Sequence, residues 1–292
     1  MTEVSPPEPV AWPEGKVAAA SFTFDVDGES AVLWNAPGTA DRMSVISHQA
    51  YGPLVGVPRL LRLLDKHGLR STFFVPGYTA QRYPSIVRDI VAAGHEVGHH
   101  GYLHEQPSAV SRAEQVEHLE LGLKALDEVA GVRPIGYRAP MWDLSWDLPE
   151  LLHARGFLYD SSLMDADVPY ELAVTPGSVD SIVEIPIQWA LDDWEQYCFL
   201  PEISGSGLIE TPAKARELWW TEFEGMRQAH GCWVLTNHPF LSGRPSRARA
   251  LDELMSDVLA CADVWVAPLQ EIAEHLRSLR IAPRSVLRPR LD

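Results

Sequence analysis

The sequence predicts an α/β protein, a single-domain distorted (β/α) barrel, on three observations. Short apolar segments rich in β-branched and aromatic residues alternate with amphipathic helical segments along nearly the whole chain. Such alternation pairs strands in parallel, with helices as crossovers. The reactive side chains fall at the carboxyl ends of the predicted strands, where a β/α barrel assembles its site, and 292 residues suit one domain of this class. An open doubly wound sheet is the second choice.

The elements follow in order. Residues 1–16 form an acidic, proline-rich arm, and the folded domain is expected over 17–292. Ser21-Phe22-Thr23-Phe24 is a strand that runs into Asp25, Val26, Asp27 and Gly28. Residues 28–57 read as a long connection with little periodicity, a length that points to function or assembly. Pro58 opens a helix that Gly68 closes. STFFVPG (71–77) is a strand, YPSIVRDIVAAG (83–94) a helix, and HEVGHH (95–100) begins as a short strand. Ser111 and Glu114 make a capping box on a helix ending at Gly131. IGYR (135–138) is strand-like, LPELLHARG (148–156) helical, FLYDSS a strand and turn, and SIVEIPIQW (181–189) a strand. Thr211-Pro212 caps a helix running to Gly231, CWVLTNH (232–238) is a strand, a helix lies near 248–261, and VWVAP (264–268) is the last of about eight strands.

A hydrophobic content of 46% and a charged content of 22% fit a globular chain with a substantial core. The formal charge of −16 argues against nucleic acid or an anionic membrane as partner. The N-terminus lacks the basic start and apolar core of a secretory signal, and no run is long enough to span a membrane. Three scattered cysteines form neither a zinc spacing nor a disulfide framework. A cytoplasmic location is therefore expected.

Polar residues cluster at five strand ends: Asp25 and Asp27, His99 with His100 and His104, Arg138, Asp192 with Asp193, and Asn237 with His238. Asp25 and Asp27, two apart on a strand, point the same way. His100 and His104 reach one metal if the backbone turns once between them, and Gly101 permits such a turn. Glu105 is read either as a partner of a ligand histidine or as facing water. Trp142, Trp189 and Trp194 are candidate pocket walls.

Read alone, FTFDVDGES also fits a haloacid dehalogenase-type phosphatase with Asp25 as nucleophile, but that reading leaves the histidines idle. The Asp-x-Asp of a glycosyltransferase leaves them idle too. A calcium loop lacks the closing glutamate, and a glycosidase pair rests on two acids alone. A non-catalytic binding protein is a further alternative. A metal-dependent amide hydrolase uses every element: Asp27, His100 and His104 as ligands, Asp25 as base and His238 as acid. Two imidazoles and a carboxylate accept zinc, cobalt, nickel, iron or manganese, with one divalent ion expected per chain and zinc the first expectation.

These motifs resemble the polysaccharide deacetylase family, the NodB-homology or carbohydrate esterase family 4 fold, from about residue 17 to 275. TFDVD looks like its first motif, HGYLH its His-x-x-x-His, GYRAP its Arg-x-Pro, YDSS with the Trp189 region its fourth, and VLTNHP its last. The resemblance implies a NodB-like barrel related to the TIM barrel, a metal held by Asp27, His100 and His104, and a catalytic set of Asp25, His238 and Arg138, with Arg138 orienting the base. It implies a substrate wall at Leu235, and Trp142, Trp189, Asp192 and Asp193 are further candidates for substrate contact. Val26 between the two acids, Gly101, and Met141-Trp142 depart from the common pattern. They look like the branch with Helicobacter-type peptidoglycan deacetylase, allantoinase-like proteins and cyclic imidases, which implies a homo-oligomer, dimer or tetramer. The expected partner is a glycan or small-molecule substrate: an N-acetyl group, a cyclic imide or a ureide.

Overall fold

The computed structural model describes residues 6–201, 203 and 208–289. Among these described residues nine strands form one sheet: β1 (Ala18–Asp25), β2 (Thr72–Val75), β3 (Glu96–His99), β4 (Gly136–Tyr137), β5 (Tyr159–Asp160), β6 (Tyr170–Ala173), β7 (Ser181–Glu184), β8 (Cys232–Asn237) and β9 (Val264–Val266). The order is β6-β7-β5-β4-β3-β2-β1-β8, with β9 also paired to β1. All pairs are parallel except β6–β7. The two ends of this curled sheet approach each other. Asp192 bridges Thr236, and Cys232 N donates to Asp167 O at 2.8 Å. The fold is thus a distorted, incompletely closed barrel.

β1 shows why the site forms where it does. Its Ala18, Ala20, Phe22 and Phe24 pack outward against Leu60, Leu64 and Leu254 of the surrounding helices. The alternate set, Ala19, Ser21, Thr23 and Asp25, therefore faces the barrel interior. Strand β8 divides likewise, with Val234 inward and Trp233 and Leu235 outward.

The irregular connection expected over 28–57 is instead mostly helical. It comprises a helix Ser30–Asn35, a 3-10 turn Pro37–Asp41, a helix Met43–Tyr51 and a π turn Gly52–Gly56 that runs into the helix Val57–His67. Pro37, Gly38, Gly52, Pro53 and Gly56 break the period and hide it in the sequence. Gly56 lets this segment reach the site, because a Cβ there would stand 2.1 Å from Pro239 O. Helix ends at Gly68 and Gly131 are left-handed caps, and the Ser111 capping box is present, all as expected. The strand expected over 181–189 stops at Glu184, and Trp189–Leu191 is a 3-10 turn. The arm's described part packs at the amino ends of the strands, where Trp12 Nε1 donates to His230 O and its ring stacks on His275. Residues 1–5 lie outside the described residues.

Candidate active site

The carboxyl ends of β1, β3, β4 and β8 open onto one recess of about 150 Å³. Asp25 and Asp27 enter it from the end of β1. Gly28, at φ 57°, turns the chain, and Ser30 Oγ donates to Asp27 O at 2.7 Å. Both acids are buried. Asp25 Oδ1 accepts Arg138 Nη1 at 2.8 Å, while Asp25 Oδ2 stands 3.9 Å from His100 Nε2. Asp27 Oδ1 lies 3.5 Å from His100 Nε2, and its Oδ2 lies 3.6 Å from His104 Nε2 and 3.7 Å from His238 Nε2. Neither Asp27 oxygen has a hydrogen-bond donor among the described residues. Two bare buried carboxylate oxygens facing imidazole nitrogens are costly unless a cation or protons lie between them. The ligating atoms of Asp27, His100 and His104 lie within 4.8 Å of one another, so this donor set fits a divalent metal.

The histidines are held by the loop after β3. His100 Nδ1 donates to Arg138 O at 2.7 Å, which leaves Nε2 as the free nitrogen. Burial lowers the His100 pKa to about 3, against the pull of Asp27, and keeps the ring neutral. Gly101 and His104 are both left-handed, at φ 73° and 62°, and bring the two rings to 4.9 Å between centroids. Glu105 takes neither role expected of it. It accepts Tyr102 N and Leu103 N at 2.9 and 2.8 Å and so locks the loop between the two histidines. His99 points to the outer side, as its strand position requires, and Nε2 donates to Leu119 O at 3.1 Å.

Arg138 is wholly buried, and each of its three nitrogens donates to the protein. Besides Asp25 it donates to Thr23 Oγ1 (2.9 Å), Thr236 Oγ1 (3.2 Å), Ser161 O (3.1 Å) and Ser161 Oγ (3.2 Å). Thr23, Thr236 and Ser161 escaped the sequence reading. Thr23 carried a signal, since it precedes Asp25 by two on the same strand face.

His238 enters from the end of β8. Its Nδ1 donates to Asp193 Oδ1 at 2.7 Å, with Asp192 Oδ1 at 3.4 Å, so Nε2 faces the recess. Burial opposes charge on this ring, but Asp192, Asp193 and Asp27 outweigh it and raise its pKa to about 10. Burial raises Asp192 to about 7, with His238 opposing and Asp193 adding.

Two expected substrate contacts fall elsewhere. Leu235 is fully buried in the outer core, because it is one residue out of phase with Thr236 on the opposite face. Asp193 lies behind His238, where it also accepts Ser242 N at 3.1 Å, and does not line the recess. Asp192, Trp142 and Trp189 do line it. The two tryptophans stack at 4.5 Å, and Trp194 meets His238 edge-on at 5.1 Å. Met141 and Glu195, not singled out as substrate contacts in the sequence, complete the wall. Met141 and Trp142 are both left-handed, at φ 58° and 53°. No lysine lines the recess among the described residues, so the aspartyl-phosphate reading finds no support here.

Residues 47–158 match the polysaccharide deacetylase family model. The peptidoglycan deacetylase of Helicobacter pylori is 30% identical over 282 residues, spanning 89% of this chain and 96% of that one. A solved structure from Mycobacterium smegmatis, assigned as a polysaccharide deacetylase, is 59% identical with a TM-score of 0.96, covering 99% of this chain and all of that one. The Puue allantoinase structure shares the fold at a TM-score of 0.81 and 24% identity, over 94% of this chain and 95% of that one. With the fold, the motifs and these relatives in agreement, the chain belongs to the polysaccharide deacetylase family of hydrolases acting on carbon–nitrogen bonds.

Proposed function

We propose a metal-dependent hydrolase of a non-peptide amide in which Asp27, His100 and His104 hold one divalent ion, Asp25 accepts a proton and His238 delivers one. The observation that carries this reading is the convergence of these five side chains on one recess, with both Asp27 oxygens free of donors among the described residues. Carbohydrate esterase family 4 deacetylases are metalloenzymes, and a carboxylate with two neutral imidazoles suits zinc. Such an ion, when bound, supplies an acidified water and polarises the amide carbonyl. Arg138 fixes Asp25 Oδ1 and leaves Oδ2 facing the recess to take a proton. Asp193 holds the Nδ1–H of His238, so the charged ring presents Nε2–H to the leaving nitrogen. Trp142, Trp189 and Trp194 exclude water around it.

The recess is small against the roughly 300–1,000 Å³ of common ligand pockets. That size favours a compact cyclic imide or ureide. The second reading, an N-acetylated glycan, draws on the Helicobacter peptidoglycan deacetylase. The likeness of the Gly101 and Met141-Trp142 features to the branch that forms homo-oligomers supports a dimer or tetramer, and a monomer mass by light scattering contradicts it. The activity test assays chelator-treated and zinc-reloaded protein on a cyclic imide, allantoin and an acetylated chitooligosaccharide. The expected result is hydrolysis only after reloading, fastest on the imide or ureide. Turnover in excess chelator overturns the metal role, turnover of the glycan alone overturns the substrate choice, and no turnover of any favours the binding-protein alternative.

A further inference from the structure

Two carboxylic acids that this chemistry does not use lie side by side at the ends of β5 and β7. Asp160 and Glu184 are register partners across that parallel pair, and both are fully buried. Their neighbours Tyr159 and Val183 face the barrel interior, so the two acids face the opposite side, next to Tyr137, Tyr170 and Ile182. One oxygen of each is well satisfied. Glu184 Oε1 accepts Ser162 N at 3.1 Å and Leu163 N at 2.8 Å, and Asp160 Oδ1 accepts Ser162 Oγ at 2.8 Å. The other two, Asp160 Oδ2 and Glu184 Oε2, have no donor from any other described residue. As register partners on one face the two carboxyl groups lie next to each other, and a hydrogen bond between them needs a proton on one. Burial raises both acids, and the neighbouring charge of Asp160 raises Glu184 further.

Among the described residues no cation pairs with either acid, although the charge of Arg138 across the sheet lowers Asp160 against its burial. Tyr137 on β4 and Tyr170 on β6 are the titratable neighbours, and the Tyr170 hydroxyl is already donated to Asp165. Arg284 lies over the Tyr170 ring and pairs with Asp165. The helix Leu148–His153 contributes apolar Leu151 and Leu152. Arg277, on the helix Leu269–Leu279, pairs with Glu171 and reaches Ser181 at the far end of β7. Arg138 spends its donors on the other face, on Asp25, Thr23, Thr236 and Ser161.

We propose that Asp160 and Glu184 share one proton, and that this protonated pair clamps the Ser161–Leu163 turn that holds Arg138 against Asp25. The grip is direct. Ser161 receives Arg138 Nε and Nη2, and Ser162 Oγ accepts Ala139 N at 2.8 Å. Asp160 and Glu184 are thus positioning residues. Their effect on turnover rests on the proposed role of Asp25, whereas the shared proton stands without it.

Amide substitutions test the proton. In Glu184→Gln the amide oxygen keeps Ser162 N and Leu163 N, and its N–H replaces the shared proton toward Asp160. Asp160→Asn is the mirror arrangement. The double variant sets two amide N–H groups face to face with no acceptor. Each single variant is expected to fold and to keep kcat/KM within about threefold, as a matched hydrogen-bond replacement allows. Above about pH 5 the shared proton makes the wild-type unfolding constant rise by about tenfold per pH unit, a factor absent from either single variant. The double variant loses about tenfold or more in folding constant beyond the sum of the singles. Additive losses, an unchanged pH slope, or a single variant that fails to fold overturns the shared proton. Ser162→Ala, which cuts the turn from Asp160 and Ala139, tests the clamp. A fall in kcat of about tenfold at unchanged KM is expected, and an unchanged kcat overturns the clamp. Full activity of Asp25→Asn contradicts the base assignment instead, and leaves the pH slope of the single variants as the separate reading of the pair.

Discussion

Replacing Arg138 by methionine removes the guanidinium paired with Asp25 and keeps most of the buried volume. Arg138 and Asp25 are each at most 1% exposed and 2.8 Å apart. Breaking such a pair from one side leaves a buried carboxylate uncompensated, at a cost of about 3–5 kcal/mol. For a chain of this size that lowers Tm by roughly 6–20 °C. Thr23, Thr236 and Ser161 lose a donor as well, so the upper part of the range is expected. The assay is a double-mutant cycle by urea unfolding across wild type, Arg138→Met, Asp25→Asn and the double variant. Removing both charges relieves the stranded carboxylate, so the double variant is expected to be more stable than the two single losses predict, by about 1–3 kcal/mol. Strictly additive losses, or Arg138→Met unfolding like wild type, refute the claim that this pair organises the site.

Gly122→Ala places a Cβ 2.2 Å from His99 Nε2; a loss of about 1–3 kcal/mol and weakened metal retention through the adjoining His100 are expected, read by urea unfolding and metal analysis. In metal-free protein His238 is held charged to about pH 10. Its folded pKa lies above the ordinary value of about 6.5, so its stabilisation is full below pH ~6.5 and is lost as pH rises toward 10. Asp193→Asn is expected to bring the upper end of that window down; identical pH-dependent urea midpoints in the two proteins contradict this. Trp142→Ala removes the stack on Trp189 and is expected to raise KM more than it lowers kcat for a compact substrate, in steady-state kinetics.

The parallel alternation was readable because β1, β2 and β8 are buried along their whole length. The antiparallel β6 was not, because buried Glu171 sits between Tyr170 and Leu172 and is compensated by Ser181 and Arg277, contacts no local pattern shows. The helices over 30–56 were hidden by their prolines and glycines, each segment being too short to display a period. In the site, Asp25, Asp27, His100, His104, Arg138 and His238 were legible because residue type and strand end coincide. Leu235 was not, because a strand's alternation decides its face and the motif alone does not. Nor could the sequence separate Asp192 from Asp193: the first lines the recess and caps Trp194 N, while the second holds His238.

The division of labour between Asp25 and Asp27 is the central claim. Metal content and turnover measured side by side for Asp25→Asn and Asp27→Asn test it most directly. Asp25→Asn is expected to retain one divalent ion per chain and to lose turnover by about 10²–10⁴-fold, while Asp27→Asn loses both ion and turnover. A full complement of metal in Asp27→Asn, or wild-type turnover in Asp25→Asn, contradicts the account.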